Sequence, residues 1–275
     1  MVGELLQYSG LVTKIRAMAG RLLTQEEYEC ILGFQTVDET IAYLKEEKTY
    51  GKIYSGHDEI KHRGQVEALI YNSIRMDFEK ICRFCNPVQR QAIKLYEPQL
   101  QYENAAPELN QDYFLRTWKQ INRFPKKDTK KILREVFGTQ IDWLNIMWVY
   151  RAKRFFRQQD AEIIPYIIPV YYKLKKTELQ NMIRAQSIEE FEKNVGNTAY
   201  FKGKDAFLQL QDEISYHQVM LRMYRRICKK YPASLAPVFY YLYQKEQEIQ
   251  KLTSILEGIR YQVAKQDIRM IIMGK

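Results

Sequence analysis

The sequence predicts an all-α protein, and three observations lead to that prediction. Apolar residues recur at steps of three and four positions, the spacing of one helix face, along most of the chain. No segment alternates apolar and polar residues in the way that a half-buried β-strand requires. Glycine (12) and proline (8) are sparse among the 275 residues, and no low-complexity linker interrupts the helical pattern.

Four apolar stripes mark predicted helices in chain order. Prolines are expected to end two of them, at Asn86-Pro87 and at Phe124-Pro125, because the residue before a proline disfavours α-helical backbone. The last stripe predicts a long final helix. The stripes comprise Leu11, Ile15, Met18 and Leu22; Val66, Leu69, Ile70, Ile74, Phe78 and Ile81; Phe114, Trp118 and Ile121; and Ile249, Leu252, Ile255, Ile259 and Val263.

Three capping boxes predict where shorter helices begin, at Thr24–Glu27, Thr36–Glu39 and Ser187–Glu190. In such a box the hydroxyl accepts a hydrogen bond from the amide three residues on. The acidic side chain in turn accepts one from the amide of the cap residue. The second and third boxes also occupy equivalent positions in a longer internal match.

An internal repeat is the most informative feature of the sequence. Residues 26–50 match residues 177–200, and each copy predicts a short helix, a capped turn, a second short helix and a closing tyrosine. Chance similarity between amphipathic helices is the alternative explanation. The paired positions are Tyr28 with Leu179, Ile31 with Met182, Leu32 with Ile183, Gln35 with Gln186, Thr36 with Ser187, Glu39 with Glu190 and, after a one-residue gap, Tyr50 with Tyr200.

A helix precedes each copy, at residues 11–18 and 146–153, and the C-terminal helix matches the second of these. In that match Glu248 falls on Asp142, which predicts a third, truncated copy. Repeated helical units that cannot bury an apolar face alone stack against their neighbours. We therefore expect a single compact assembly of three pseudo-repeat lobes. The lobes are residues 1–105, 106–215 and 216–275.

The chain carries a net charge of +10 and has an isoelectric point of about 9.2, which implies attraction to an acidic partner. A nucleic acid, an anionic membrane surface and an acidic protein all satisfy that charge, and a solvated helix face needs no partner. Two basic clusters stand out, one at Lys126–Arg134, which is expected to lie on a short helix, and one at Arg222–Lys230. No known nucleic-acid-binding module accompanies them. The candidate interface residues are Lys126, Lys127, Lys130, Lys131, Arg134, Arg151, Lys153, Arg154, Arg157, Arg222, Arg225 and Arg226.

Cysteine and histidine occur here without the partners that their chemistry needs. Cys82 and Cys85 end an amphipathic helix, whereas a redox pair requires a preceding strand and a zinc site requires two more ligands. His57 and His62 do not have the i, i+4 spacing that points two helical histidines at one metal ion. His217 stands alone. We therefore predict no metal site.

Two further motifs also favour structural roles. Lys202–Asp205 lacks the leading glycine and the hydroxyl of a phosphate-binding loop. Asp142 and Asn145 are interpreted as a helix start, at Thr139–Asp142, and a helix-packing contact rather than as an acid–base pair. The sequence therefore predicts no catalytic residue and no cofactor.

Neither a membrane span nor an export signal is expected. The most apolar stretch, Ile163–Tyr172, is far shorter than the ~20 residues of a transmembrane helix and contains two prolines. The first ten residues lack the basic and apolar regions of a signal peptide. Four cysteines in a chain of this length do not form a disulfide framework, so we expect a reducing cytoplasm.

Three segments of the chain carry a resemblance to a known family. They are Lys14–Ala17 with Arg21–Tyr28; Ile141–Asn145 with Arg151–Lys153, Ile164-Pro165 and Ile168-Pro169; and Lys245–Leu252 with Ile255 and Gly258. In these segments the chain resembles the family of V/A-type rotary ATPase C subunits, whose eukaryotic equivalent is designated d. Members of that family are longer, so the resemblance implies a shortened bacterial member that is trimmed in a lobe or loop.

The resemblance implies a helical funnel of three similar lobes that works in the rotor as a non-catalytic central-stalk subunit. The shaft subunits D and F would dock into the funnel, and the funnel would sit on the membrane rotor ring, coupling the two for proton or sodium transport. A peripheral position on the cytoplasmic face of the membrane, one copy per complex and a monomer when alone are also implied, with no nucleic acid bound. The alternative function is a basic all-α scaffold or adaptor that binds nucleic acid or an acidic membrane surface.

Overall fold

Helices make up all of the regular structure in the part of the chain that the computed structural model describes. That part is residues 2–46, 50–51, 63–100, 111–156, 158–201 and 213–273, and it contains thirteen α-helices and no β-strand. The predicted all-α class is therefore confirmed. The α-helices are α1 (Val2–Ala19), α2 (Gln25–Ile31), α3 (Val37–Glu46), α4 (Arg63–Arg83), α5 (Pro87–Lys94), α6 (Gln111–Asn122), α7 (Lys127–Arg151), α8 (Asp160–Ile163), α9 (Lys176–Arg184), α10 (Ile188–Gly196), α11 (Glu213–Lys230), α12 (Ala236–Arg260) and α13 (Lys265–Met273). The other helical turns are 3-10 at Glu97–Leu100 and Ile164–Tyr166 and π at Ala152–Phe156.

The chain divides into two compact units. The first unit combines the two ends of the chain, Met1–Asn104 and Ala233–Lys275, and the second is Ala105–Pro232. The three predicted lobes have different boundaries from these units, and the division into three pseudo-repeats stays a prediction.

The first unit is built around α12, which buries side chains on most of its circumference. Helices α1, α3, α4 and α13 pack against it. The apolar stripes that predict α1 and α4 supply buried residues to this core, among them Leu11 and Ile15 of α1 and Ile70 and Ile74 of α4. A helix with apolar residues all round needs neighbours on several sides, and the two ends of the chain together provide them.

The second unit has the same plan around α7, which is packed by α6, α9, α10 and α11. Trp143 of α7 is fully buried in the larger apolar cluster of this unit, and Phe114 of α6 is fully buried in a second one. Gly138 of α7 allows a close approach of the segment before α9. A Cβ atom at that position would come within 2.5 Å of the ring of Tyr172.

Two of the three predicted capping boxes form in full, and the third forms in part. Thr24–Glu27 and Thr36–Glu39 make both hydrogen bonds of the box at the start of α2 and α3, as predicted. Before α10, the hydroxyl of Ser187 accepts from the amide of Glu190 at 3.1 Å. The Glu190 carboxylate, however, accepts from the amide of Gln186, one residue earlier than predicted, at 2.8 Å.

Four details of the predicted helices are wrong. Helix α1 ends at Ala19, so that Leu22 of its predicted stripe lies outside it. The expected final helix, α12, ends at Arg260, so that Val263 lies outside it and α13 follows. The cations that begin at Lys126 lie at the start of the 25-residue α7 rather than on a short helix. Thr139–Asp142 lies in the middle of α7 rather than at a helix start. Apolar residues at helical spacing on both sides of it continue the helix through these polar positions.

Candidate functional site

In the second unit, the carboxylate of Asp142 joins three segments of the chain. It accepts hydrogen bonds from the backbone amides of Tyr172, Lys173 and Leu174, at 3.1, 2.8 and 3.0 Å, and from the hydroxyl of Tyr200 at 2.6 Å. Asp142 has no exposed surface. The carboxylate therefore ties α7 to the segment that precedes α9 and to the tyrosine that follows α10.

Asn145, almost one turn further along α7, holds the same connecting segment at an earlier point. Its amide nitrogen donates to the carbonyl of Ile168 and its amide oxygen accepts from the Ile168 N–H, both at 2.9 Å. The predicted helix-packing role of Asn145 is thus a two-bond clamp on backbone. Together with Asp142 it supplies the polar partners that a buried irregular segment needs.

In the first unit, the carboxylate of Glu248 has an equivalent role. It accepts from the amide of Leu23 at 2.6 Å, from the hydroxyl of Tyr50 at 2.8 Å and from the ammonium of Lys245 at 2.5 Å. The Lys245 ammonium also donates to the Tyr50 hydroxyl at 2.9 Å. Lys245 is fully buried and Glu248 is 3% exposed, so this ion pair lies out of water.

The two carboxylates make matching contacts at positions that the internal repeat pairs. Tyr50 and Tyr200 each donate to one of them, and so do the amides of Leu23 and Leu174, which sit at the same place before their helix pairs. The difference lies in where the carboxylate comes from. The second copy receives Asp142 from the helix that precedes it, whereas the first copy receives Glu248 from α12, near the other end of the chain.

The charge states of these networks fit a structural role. Burial raises the pKa of Asp142, while the Tyr200 hydroxyl and the three backbone amides act in the opposite direction. Burial and the neighbouring carboxylates also raise the pKa of Tyr50 and of Tyr200, so both phenols keep their protons and remain donors. Each network is thus a fixed set of hydrogen bonds within the chain, suited to holding helices together.

A basic surface forms where α7 and α11 pack side by side in the second unit. It unites cations from the two clusters that the sequence separates, with Glu135 between them. The Glu135 carboxylate lies 3.3 Å from Arg226 and 3.9 Å from Lys173. We call this surface the α7–α11 basic face. Its cations are Lys130, Lys131, Arg134, Lys173, Arg226 and Lys230.

Aromatic rings and one amide hold most of these cations in place. Arg134 lies over the ring of Trp118 at 5.3 Å and donates to the side-chain oxygen of Asn122 at 3.0 Å. Lys131 and Lys230 approach the ring of Tyr231, at 5.8 and 5.3 Å. Cations over aromatic faces are attracted by the ring quadrupole, which limits their freedom to move.

Lys173 is the member of this face that the sequence analysis missed. The sequence feature that could have indicated Lys173 is its position in a run of tyrosines and lysines. In the structure its ammonium lies 5.2 Å from the ring centre of Tyr172. Its pKa is lowered first by burial and then by the nearby cations Arg226 and Lys230, against the carboxylates of Glu135 and Asp142. Burial is the largest cause of the lowered pKa, and the cations and carboxylates around Lys173 act on it in opposite directions.

The remaining candidate cations that the structure describes lie at other positions on α7 and α11 or in the turn that follows α7. Lys126 and Lys127 lie at the N-terminal end of α7 and Arg151 at its C-terminal end, followed by Lys153 and Arg154 in the π-helical turn. Lys153 donates to the carbonyl of Ala185 at 2.8 Å and so serves packing within the unit. Arg222 and Arg225 are exposed on α11, and Arg157 lies outside the described residues.

The cysteine pair is placed for packing rather than for thiol chemistry. Burial raises the pKa of Cys85 to about 12 and also raises that of Cys82, which disfavours the reactive thiolate. His217 lies half-buried on α11. Across the described ranges, no helix is both long and apolar enough to cross a bilayer, and no three histidine, cysteine or acidic side chains gather as a metal site. The predicted positions outside those ranges are His57, Asp58, His62 and Lys202–Asp205.

Comparison with known proteins gives a family match along the chain. The family described as ATP synthase (C/AC39) subunit matches residues 11–106 and 103–271. The C subunit of the A-type ATP synthase of Methanobrevibacter smithii is 26% identical over 156 residues, which are 54% of this chain and 40% of that protein. The protein of the same name from Methanothermobacter thermautotrophicus is 27% identical over 146 residues, 50% of this chain and 37% of that protein. The chain thus spans about two fifths of the length of the curated relatives that it matches.

Proposed function

We propose that this chain, which belongs to the ATP synthase (C/AC39) subunit family, is a non-catalytic central-stalk subunit of a V/A-type ATPase. In that role it joins the shaft subunits D and F to the membrane rotor ring and couples them for ion transport. The family match over residues 11–106 and 103–271 is the observation that carries the proposal. The names of the two archaeal relatives support the same type of complex.

The contacts within each unit support a mechanical role. A part that transmits torque has to resist deformation, and close-packed interiors with satisfied polar networks are stiff. The central helices α7 and α12 have 25 residues each, a length of about 37 Å. The buried carboxylate of Asp142 ties α7 to its helix pair with four hydrogen bonds, and that of Glu248 ties α12 to the other pair with two.

The position that we propose is peripheral, on the cytoplasmic face of the membrane, with one copy in each complex. The net charge of +10 supports a place next to acidic partners or anionic headgroups. Each basic residue close to an anionic lipid surface contributes on the order of 1 kcal/mol to binding.

The test is to tag the full chain in its own cell, solubilise the membranes in mild detergent and identify the co-purifying proteins by mass spectrometry. We expect the A, B, D and F subunits and the ring protein in constant proportion to the tagged chain. Recovery of nucleic acid, or of none of these subunits, would overturn the proposal. The basic scaffold would then be favoured, and its binding to a polyanion should fall steeply with salt concentration.

A further inference from the structure

We infer that the α7–α11 basic face docks a carboxylate-bearing surface of another protein subunit, an inference that rests on the proposed function. The face is suited to this because its cations outnumber the acidic group among them and are held at fixed positions. A protein partner with acidic side chains on a folded surface can match such fixed positions one by one.

Among the residues that the structure describes, one carboxylate forms ion pairs with the cations of this face. Glu135 is the acidic side chain that contacts it, through Arg226 and Lys173, and its own side chain is only 10% exposed. Lys131, Arg226 and Lys230 are exposed to solvent. A single buried carboxylate therefore orders two cations but leaves the outer ones available to an external anion.

Fixed cations favour a folded partner over a fluid one. Arg134 is held by Trp118 and Asn122, and Lys130 donates to the carbonyl of the same Asn122 at 2.5 Å. Side chains that are already ordered lose less entropy when they bind, so a rigid acidic surface gains most from them. The planar guanidinium group of Arg226 offers paired donors for a carboxylate.

A lipid surface fits this face less well. Stable attachment to a membrane usually combines cations with apolar side chains that enter the headgroup region. In the second unit, the most exposed large apolar side chains of the described residues include Phe155 and Phe156, at 65% and 70%. They follow the C-terminal end of α7, which is Arg151. Measured along the axis of α7, Arg151 lies roughly 25 Å from Arg134 of the basic face. The basic face and this aromatic pair are therefore separate surfaces.

A nucleic acid also fits less well. Binding of single strands uses open aromatic faces on which bases stack. The rings at this face, Trp118, Tyr172 and Tyr231, each already have an arginine or lysine within 6 Å of the ring centre. The arrangement favours carboxylates over bases.

The experiment compares three tagged full-length chains in the co-purification described above. The wild type is tested beside K131E/K230E, which reverses two exposed charges of the face that lie over the Tyr231 ring. The matched control is R184E/K193E, which makes the same change of charge at exposed positions on α9 and α10. Far-UV circular dichroism and thermal melting establish that all three are folded. Binding to phosphatidylserine vesicles and to a single-stranded DNA oligonucleotide is measured on the same proteins.

We expect K131E/K230E to lose co-purifying ATPase subunits by about tenfold or more, while R184E/K193E retains them. Equal recovery with wild type and K131E/K230E would overturn the inference and leave the proposed function standing. Failure of the wild type to recover any subunit would overturn the proposed function itself. If K131E/K230E lost only vesicle or DNA binding and kept the subunits, the face would belong to lipid or nucleic acid and the inference would be wrong.

Discussion

The hydroxyl of Tyr50 donates a hydrogen bond of 2.8 Å to the carboxylate of Glu248, 198 positions later in the chain. The same carboxylate holds the ammonium of Lys245, which is fully buried. The N-terminal helix pair and the C-terminal α12 are therefore joined by a buried charge network as well as by apolar packing. This network makes the first unit sensitive to single polar substitutions.

Replacing Glu248 by alanine is expected to destabilise the first unit, because it leaves the Lys245 ammonium buried without its carboxylate. Removing one partner of a buried ion pair costs about 3–5 kcal/mol. E248Q should cost less, since an amide oxygen can still accept from Tyr50 and Leu23. The free energy of unfolding in urea, followed by far-UV circular dichroism, measures both effects.

The matched change in the second unit is D142A, which removes the acceptor of three backbone amides and of Tyr200. The three tryptophans, Trp118, Trp143 and Trp148, all lie in the second unit. Tryptophan fluorescence therefore reports on that unit alone. We expect D142A to move the fluorescence transition to a lower urea concentration. We expect E248A to move the circular dichroism transition to a lower urea concentration and to leave the midpoint of the fluorescence transition unchanged. A common shift of both signals in both variants would show that the units unfold together and would contradict this prediction.

The hydrogen bond from Tyr200 to Asp142 is expected to show strong energetic coupling. Hydrogen bonds to charged groups contribute about 1.5–3 kcal/mol, so Y200F and D142N should each destabilise the protein and the double variant should cost less than their sum. Urea unfolding of the four proteins gives the coupling energy. The control is Y166F, at a tyrosine that is 60% exposed, which should change the stability very little. Simple additivity of Y200F and D142N would argue against the bond.

Local features of this fold could be predicted from the sequence, and long-range ones could not. The helices and the caps at Thr24 and Thr36 follow from spacing over a few residues, which depends little on the rest of the chain. The repeat also paired Glu248 with Asp142. It did not reveal that α12 would serve the first copy, because that contact joins Leu23 to a residue 225 positions away.

The basic face shows the same limit. The sequence separates the clusters around Lys131 and Lys230, and only the packing of α7 on α11 brings both to Tyr231. Asp142 was interpreted as part of a helix start because a polar residue after Thr139 resembles a cap. In the structure the Asp142 carboxylate instead accepts hydrogen bonds from the backbone amides of an irregular segment that passes beside the middle of α7.

Gly138 is expected to be intolerant of even a methyl group. A Cβ atom there would lie 2.7 Å from the Cβ of Tyr172, whose amide is held by Asp142, so the tyrosine cannot easily move away. Overpacking of this kind costs about 1–3 kcal/mol, and G138A should lower the midpoint of the fluorescence transition. The control is G10A in α1, where a Cβ atom meets nothing within 4 Å. Because alanine is the better helix former, G10A should stabilise the protein by about 0.5–1 kcal/mol.

The stability of the first unit is expected to fall as the pH rises from about 4.5 to about 8, through the titration of Glu246. Burial raises the pKa of this carboxyl to about 8, although the hydroxyl of Tyr96, 2.8 Å away, acts to lower it. The folded protein thus keeps a proton that the unfolded chain, with its ordinary pKa near 4.5, has released. Between these two values the folded state binds more protons, so raising the pH favours unfolding by at most about 1.4 kcal/mol per pH unit. Above the folded pKa this contribution to stability is lost, and the stability no longer depends on pH through Glu246.

E246Q removes the ionisable group, and its stability relative to the wild type should therefore increase across this pH window in circular dichroism melts. E46Q, at an exposed glutamate of α3, should show no such trend, and a pH-independent difference between E246Q and the wild type would contradict the prediction.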